Sequence, residues 1–109
     1  MIELTRGDTA RFKFQRKAKN GNVVRKKADE VTFTVKESYY SKNPVIQKKL
    51  SAGSITFDET DCYYRFKINE EDTKKLSYKS YVYDIEVRFE DNVKTIKKGE
   101  FVIDKEVSF

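Results

Sequence analysis

From Tyr81 to Phe89 the chain reads YVYDIEVRF: Tyr81, Tyr83, Ile85, Val87 and Phe89 share one parity, while Val82, Asp84, Glu86 and Arg88 share the other. Successive side chains of a strand point to opposite faces, so this stretch predicts a strand with one apolar and one largely wet face. No other run offers five large apolar groups at period two without a break, which makes it the expected central strand of an antiparallel sheet. Shorter alternations precede it. Ala10, Phe12 and Phe14 interleave with Arg11, Lys13 and Gln15, and Val31, Phe33 and Val35 with Thr32, Thr34 and Lys36. Tyr64, Phe66 and Ile68 interleave in the same way with Tyr63, Arg65 and Lys67. Weaker strands are expected near residues 2–5, 45–50 and 55–57. Beyond the central stretch, Val93 to Glu100 sets Ile96 among Lys94, Lys97 and Lys98. That run, poor in apolar groups and rich in lysine, has the composition of an edge strand that resists unwanted pairing. After Gly99, the residues Phe101, Ile103, Val107 and Phe109 predict a separate final strand.

Turn signals separate these runs. Arg6-Gly7-Asp8 reads as a turn, since glycine supplies positive φ and aspartate bonds its own backbone nearby. The same tripeptide is an adhesion motif, but an ordinary turn accounts for it. Asn20-Gly21 predicts a hairpin with positive φ at both residues, returning through Val23 and Val24. One helical turn is expected near 70–76, with Asn69 as N-cap, acids at the positive end, lysines at the negative end and Leu76 pinning it to the core. Seven to nine short strands at regular spacing with one helical turn predict a single all-β domain, a β-sandwich spanning 1–109.

Composition narrows the chemistry. There is no histidine, and Cys62 is the only cysteine. The commonest general base and metal ligand are therefore missing, and neither an intrachain disulfide nor a thiolate cluster can form. The acidic runs 58–61 and 70–72 lack the spacing of a calcium loop. Asp84 and Glu86 share a strand face, but beside lysine-bearing neighbours they read as cross-strand ion pairs rather than a glycosidase pair. We therefore expect a protein that is not an enzyme, with no catalytic, cofactor or metal site. No run of about 18 apolar residues offers a membrane span, and the opening residues carry no secretory signal pattern.

With 23 basic and 18 acidic residues the net charge is +5. Lysine-rich strands with interleaved tyrosines have the composition of a surface that tracks a nucleic-acid backbone, but the cations are scattered in several clusters near acids. The longest irregular connection, 37–44, carries Tyr39 and Tyr40; they either form a contact surface or cap one end of the core. Tyr39, Tyr40, Lys94, Lys97 and Lys98 are the candidate interaction surface.

Taken as a set, LTRGDTARFKF, VTFTVKESYYSKNPVIQKKL, the NEEDT turn, YVYDIEVRF and the GEFVI ending resemble the small immunoglobulin-like domain of tailed phages and prophages of Gram-positive bacteria. They are similar to the N-terminal domain of upper-baseplate proteins, which attach receptor-binding tips to the tail. The resemblance implies an immunoglobulin-like β-sandwich and a structural role in the virion, or in the host cytoplasm before assembly. The expected partners are other tail proteins, in a homo-oligomer or a symmetric particle. The alternative is a small basic nucleic-acid-binding or host-takeover protein of phage origin.

Overall fold

The computed structural model of the protein describes residues 1–105. In chain order the elements are β1 (Ile2–Thr5), β2 (Ala10–Gln15), β3 (Glu30–Lys36), β4 (Ile46–Lys49), β5 (Ile55–Asp58) and β6 (Tyr63–Ile68). They are followed by helix α1 (Glu70–Thr73), β7 (Ser80–Phe89) and β8 (Asn92–Asp104). Two sheets result, β1-β8-β7-β3-β4 and β2-β6-β5. The long alternation from Tyr81 forms β7, which stands in the middle of the five-stranded sheet. Its inner residues Tyr81, Tyr83, Ile85 and Val87 are all buried. They meet Val31, Phe33 and Val35 of β3 within the sheet, and Tyr64, Phe66 and Ile68 of β6 across the core. Rings join the layers and stack within them: Phe33 of the larger sheet lies 4.6 Å from Phe66 of the smaller, and Phe66 5.3 Å from its neighbour Phe12 in the same sheet, centroid to centroid.

The order β2-β6-β5 facing β8-β7-β3, extended by β4, is the B-E-D against G-F-C-C′ arrangement of an immunoglobulin-like sandwich. The corner before β7 agrees, because the Tyr81 hydroxyl donates to the Ser77 carbonyl at 3.0 Å, the tie known in that fold as a tyrosine corner. All ladders are antiparallel except β1, which runs parallel to β8 from Ile2↔Phe101 to Thr5↔Asp104. A fully antiparallel sheet is therefore not what forms. β1 and the last four residues of β8 run in the same direction along one edge.

Several local expectations hold and others are corrected. The turn at 6–8 forms, with Gly7 at φ +88 and its amide donating to the hydroxyl of buried Thr73. At the Asn-Gly hairpin only Gly21 has positive φ. The Ala18 N–H donates to the Asn22 carbonyl, so the loop spans three residues, and a three-residue loop needs one left-handed position rather than two. The helix stops at Thr73, shorter than expected, with Lys74 as C-cap and Lys75 beyond it. At its start Asp72 accepts the Asn69 N–H at 2.7 Å, and Leu76 packs on the core. Gly99 does not break the chain between two strands. β8 runs through it, because the Tyr83 ring covers the glycine so closely that a Cβ there would stand 3.3 Å from a ring carbon. Phe101 and Ile103 belong to this same strand, while Val107 and Phe109 lie outside the described residues.

Candidate functional site

Three strands cannot cover five, so the larger sheet overhangs the smaller on both flanks. On one flank stands β4, where Lys48 pairs in register with core residue Phe33 and so points inward. Its ammonium meets Asp72 of α1 at 2.8 Å, and Lys48 is only 9% exposed. On the other flank β8 overhangs. Among the described residues, the part from Asn92 to Lys98 has β7 on one side and no strand on the other, because β1 begins its pairing only at Phe101.

The register of this half has one irregularity. Ile85 pairs with Lys97 and Glu86 with Thr95, leaving Ile96 as an extra bulged residue. Val87 then pairs with Lys94. Since Ile85 and Val87 face the core, Lys94 and Lys97 both stand on the core side of the sheet, although they are three positions apart. They edge a groove of about 620 Å³ together with Arg16 and Lys17. Its apolar walls come from Phe14 of β2, Val24 of the hairpin arm, Ile85, Val87 and Phe89 of β7, and Ile96. Arg16 and Lys26 sit over the Phe89 ring at 4.9 and 5.0 Å. Among the described residues none of Arg16, Lys17, Lys94 and Lys97 forms an ion pair.

The outer face of the five-stranded sheet forms a second surface. Lys98 is on this side, opposite Asp84, and Tyr39 of the β3–β4 connection leans over the same region. Tyr39, Asp84, Thr95, Ile96, Lys97 and Lys98 enclose a hollow of about 500 Å³, with a small cleft at Thr34 and Lys36 beside it. Tyr39 is 56% exposed and Tyr40 96%, so neither caps the core. The expected cross-strand ion pair at Asp84 does not form among the described residues: Lys98 is its register partner, but no ammonium comes within 4 Å. Burial pushes the Asp84 carboxyl above its ordinary value, against the pull of Lys36. Burial likewise lifts the Tyr83 phenol, with Tyr39 adding to the effect.

The third surface is the outer face of the small sheet. Here Arg11 stands opposite Lys67 and Lys13 opposite Arg65. Like charges directly opposite oppose pairing, and the arrangement is relieved in part by carboxylates. Asp61 chelates the Arg65 guanidinium, which holds the Asp61 carboxyl below its usual range. Lys13 lies 4.7 Å from the Tyr63 ring centre.

The five residues singled out from the sequence thus divide. Tyr39, Lys97 and Lys98 come together around Asp84; Lys94 joins Lys97 in the flank groove; Tyr40 projects into solvent. Phe14 and Phe89, which build the groove with Val24, escaped the sequence reading because their alternation marks them as core, and Val24 because it reads as the return arm of a hairpin. Lys94 and Lys97 escaped as a pair because their spacing places them on one face only through the bulge. Cys62 is a buried free thiol at a turn, with positive φ and its N–H on the Asp58 carbonyl. Among the described residues no group of three acidic or cysteine side chains is placed to hold a metal ion, and no helix is long and apolar enough to cross a membrane. No protein-family model matches the chain and no curated protein proves similar to it, which leaves the geometry of these surfaces as the ground for a functional reading.

Proposed function

We propose that this is a non-enzymatic structural protein of the phage or prophage tail and baseplate type, acting through protein–protein contacts in a homo-oligomer or another symmetric assembly. The observation that carries the contact role is the exposed Tyr39 over the outer sheet face, with the exposed Tyr40 next to it in the chain, beside an Asp84 carboxyl whose charged form burial disfavours and which no cation pairs within 4 Å among the described residues. Tyrosine gives large contact area at low entropic cost and is enriched in the energetic centres of interfaces. A partner supplying a cation to Asp84 and covering the two rings would relieve that cost. The virion setting is supported by the sequence resemblance. On this reading the partners are other tail proteins, and the chain occupies the host cytoplasm before it enters the particle. Mass spectrometry of purified particles from an induced host is expected to find the chain. Particles from a host that makes only a Tyr39→Ala/Tyr40→Ala variant, whose urea melt matches the parent, are expected to lack it. Absence of the unaltered chain from particles would overturn the virion reading.

A second reading, a small nucleic-acid-binding or host-takeover protein of phage origin, draws on one observation: the cross-strand cation pairs Arg11–Lys67 and Lys13–Arg65 concentrate charge on one sheet face. Fluorescence polarisation with a single-stranded oligonucleotide at two salt concentrations discriminates. Steep weakening with salt, removed by Lys13→Glu/Lys67→Glu, favours nucleic acid, and no binding at low salt eliminates it.

A further inference from the structure

The flank between β2 and β8 brings together three features. The first is an apolar floor, with Phe14, Val24, Val87 and Phe89 walling a space of about 620 Å³. The second is a cationic rim, Arg16, Lys17, Lys94 and Lys97, with no carboxylate paired to it among the described residues. The third is open strand edges among the described residues: β2 ends its sheet, and β8 from Asn92 to Lys98 has no neighbour beyond β7. An open edge presents a row of main-chain donors and acceptors at the spacing of a further strand.

Taken together, these features select among partners. A neutral apolar strand laid along β8 would press two ammonium groups out of water with nothing to balance them, which is costly. That is the protection an edge gains from inward-pointing charge, and the bulge at Ile96 adds to it by distorting the ladder. The same charges favour a strand that brings its own carboxylates. Each carboxylate would meet a lysine at the rim, while the intervening apolar groups cover the floor. A small amphiphile would match the floor and the rim but leave the main-chain edge unused.

We propose that this groove receives an extended segment of a partner protein, mixed acidic and apolar, added as a strand along Asn92–Lys98. The open half accommodates about six residues at the rise of a strand. The inference rests on the reading of this chain as a protein–protein contact module and names the kind of partner. It needs no virion. Recovery of peptide binding from a chain absent from particles would retire the tail assignment and leave the groove standing.

The probe is a fluorescein-labelled peptide of repeating Glu-Glu-Val-Val, in which each face of the strand carries both residue types. Fluorescence polarisation at low salt is expected to show binding, with amide shifts in NMR confined to 92–98 and the neighbourhood of Phe14. Lys94→Glu/Lys97→Glu is expected to weaken it at least roughly tenfold, as reversal of two exposed charges allows. That variant should instead take a Lys-Lys-Val-Val peptide, an exchange that mere damage to the fold would not produce. Methylation of alternate peptide nitrogens should abolish binding, since it blocks strand pairing. Four binding results would each overturn the proposal. One is no binding by the probe; another is equal binding by a glutamate–serine peptide. A third is shifts centred on Arg11 and Lys67, and the last is binding of dodecanoate but not of the peptide. A concentration-dependent dimer in light scattering, lost in the double variant, would assign the groove to a second copy and equally overturn it.

Discussion

The two overhanging flanks of the larger sheet meet the same physical problem with opposite results. Each has lysine at a position whose register partner lies in the core: Lys48 opposite Phe33 on β4, Lys97 opposite Ile85 and Lys94 opposite Val87 on β8. Beneath β4 the chain supplies an answer, since α1 brings Asp72 to 2.8 Å and the pair closes that side. Beneath β8 it supplies none among the described residues, and the ammonium groups remain in water over an apolar floor. An inward charge thus becomes a structural tie where the fold provides a counter-charge, and a selective opening where it does not.

The comparison can be broken at the floor first. Phe33, fully buried under the closed flank, and Ile85, buried beside the open one, should both be costly to truncate. Phe33→Ala is expected to lose about 4 kcal/mol and Ile85→Ala about 3 in urea melts, against less than about 1 for outward-facing Glu86→Ala. Equal losses at 85 and 86 would contradict the assignment of faces. Next in size is the closed flank itself. Lys48→Ala should lose about 2 kcal/mol by leaving Asp72 partly buried without its partner, below the usual range for a fully buried pair. A double-mutant cycle with Asp72→Asn should show coupling of about 1 kcal/mol or more. On the open flank Lys94→Ala and Lys97→Ala should each change stability by less than about 0.5 kcal/mol, as exposed positions without a partner do. A large loss there would mean that these lysines are structural after all.

Asp84 sharpens the contrast with Asp72, because among the described residues it is half-buried without a paired cation within 4 Å. Its carboxyl titrates above the ordinary value of 3.8 in the fold, so the folded state holds the proton more tightly than the unfolded chain. The stability from this group is complete below 3.8 and is lost as pH rises through the folded value. Asp84→Asn removes that loss. The variant should melt at or above the parent at neutral pH, and the gap should shrink as the medium is acidified through the carboxylate range. A neutral-pH melt clearly below the parent would refute the assignment.

Much of the fold was legible because strong alternation survives burial on one face. Tyr81 to Phe89 fixes a strand and its inner side in any register, and its five apolar groups demand the middle of a sheet. What could not be read depended on contacts between distant parts. The parallel pairing of β1 to β8 joins residues about a hundred positions apart through main-chain bonds that carry no side-chain signature. The continuity of β8 through Gly99 rests on the Tyr83 ring, which only the register reveals. The interaction surface was half legible: exposed tyrosines and lysines can be named from sequence, but not the grouping of Tyr39 with Asp84 and Lys98, nor the separation of Lys94 from them. Lys48 drew no notice, since a lysine in a weak strand ordinarily faces solvent.

The extra residue at Ile96 has a consequence for what the strand tolerates. Removing one residue from a ladder ordinarily turns every later side chain to the opposite face. Here the excised residue could be Ile96, which opposes nothing on β7. Its deletion would straighten the ladder and leave Lys94, Lys97, Phe101 and Ile103 with the partners they already have. The strand carries one position of slack, and losing it should alter the shape of the edge more than the identity of what faces inward.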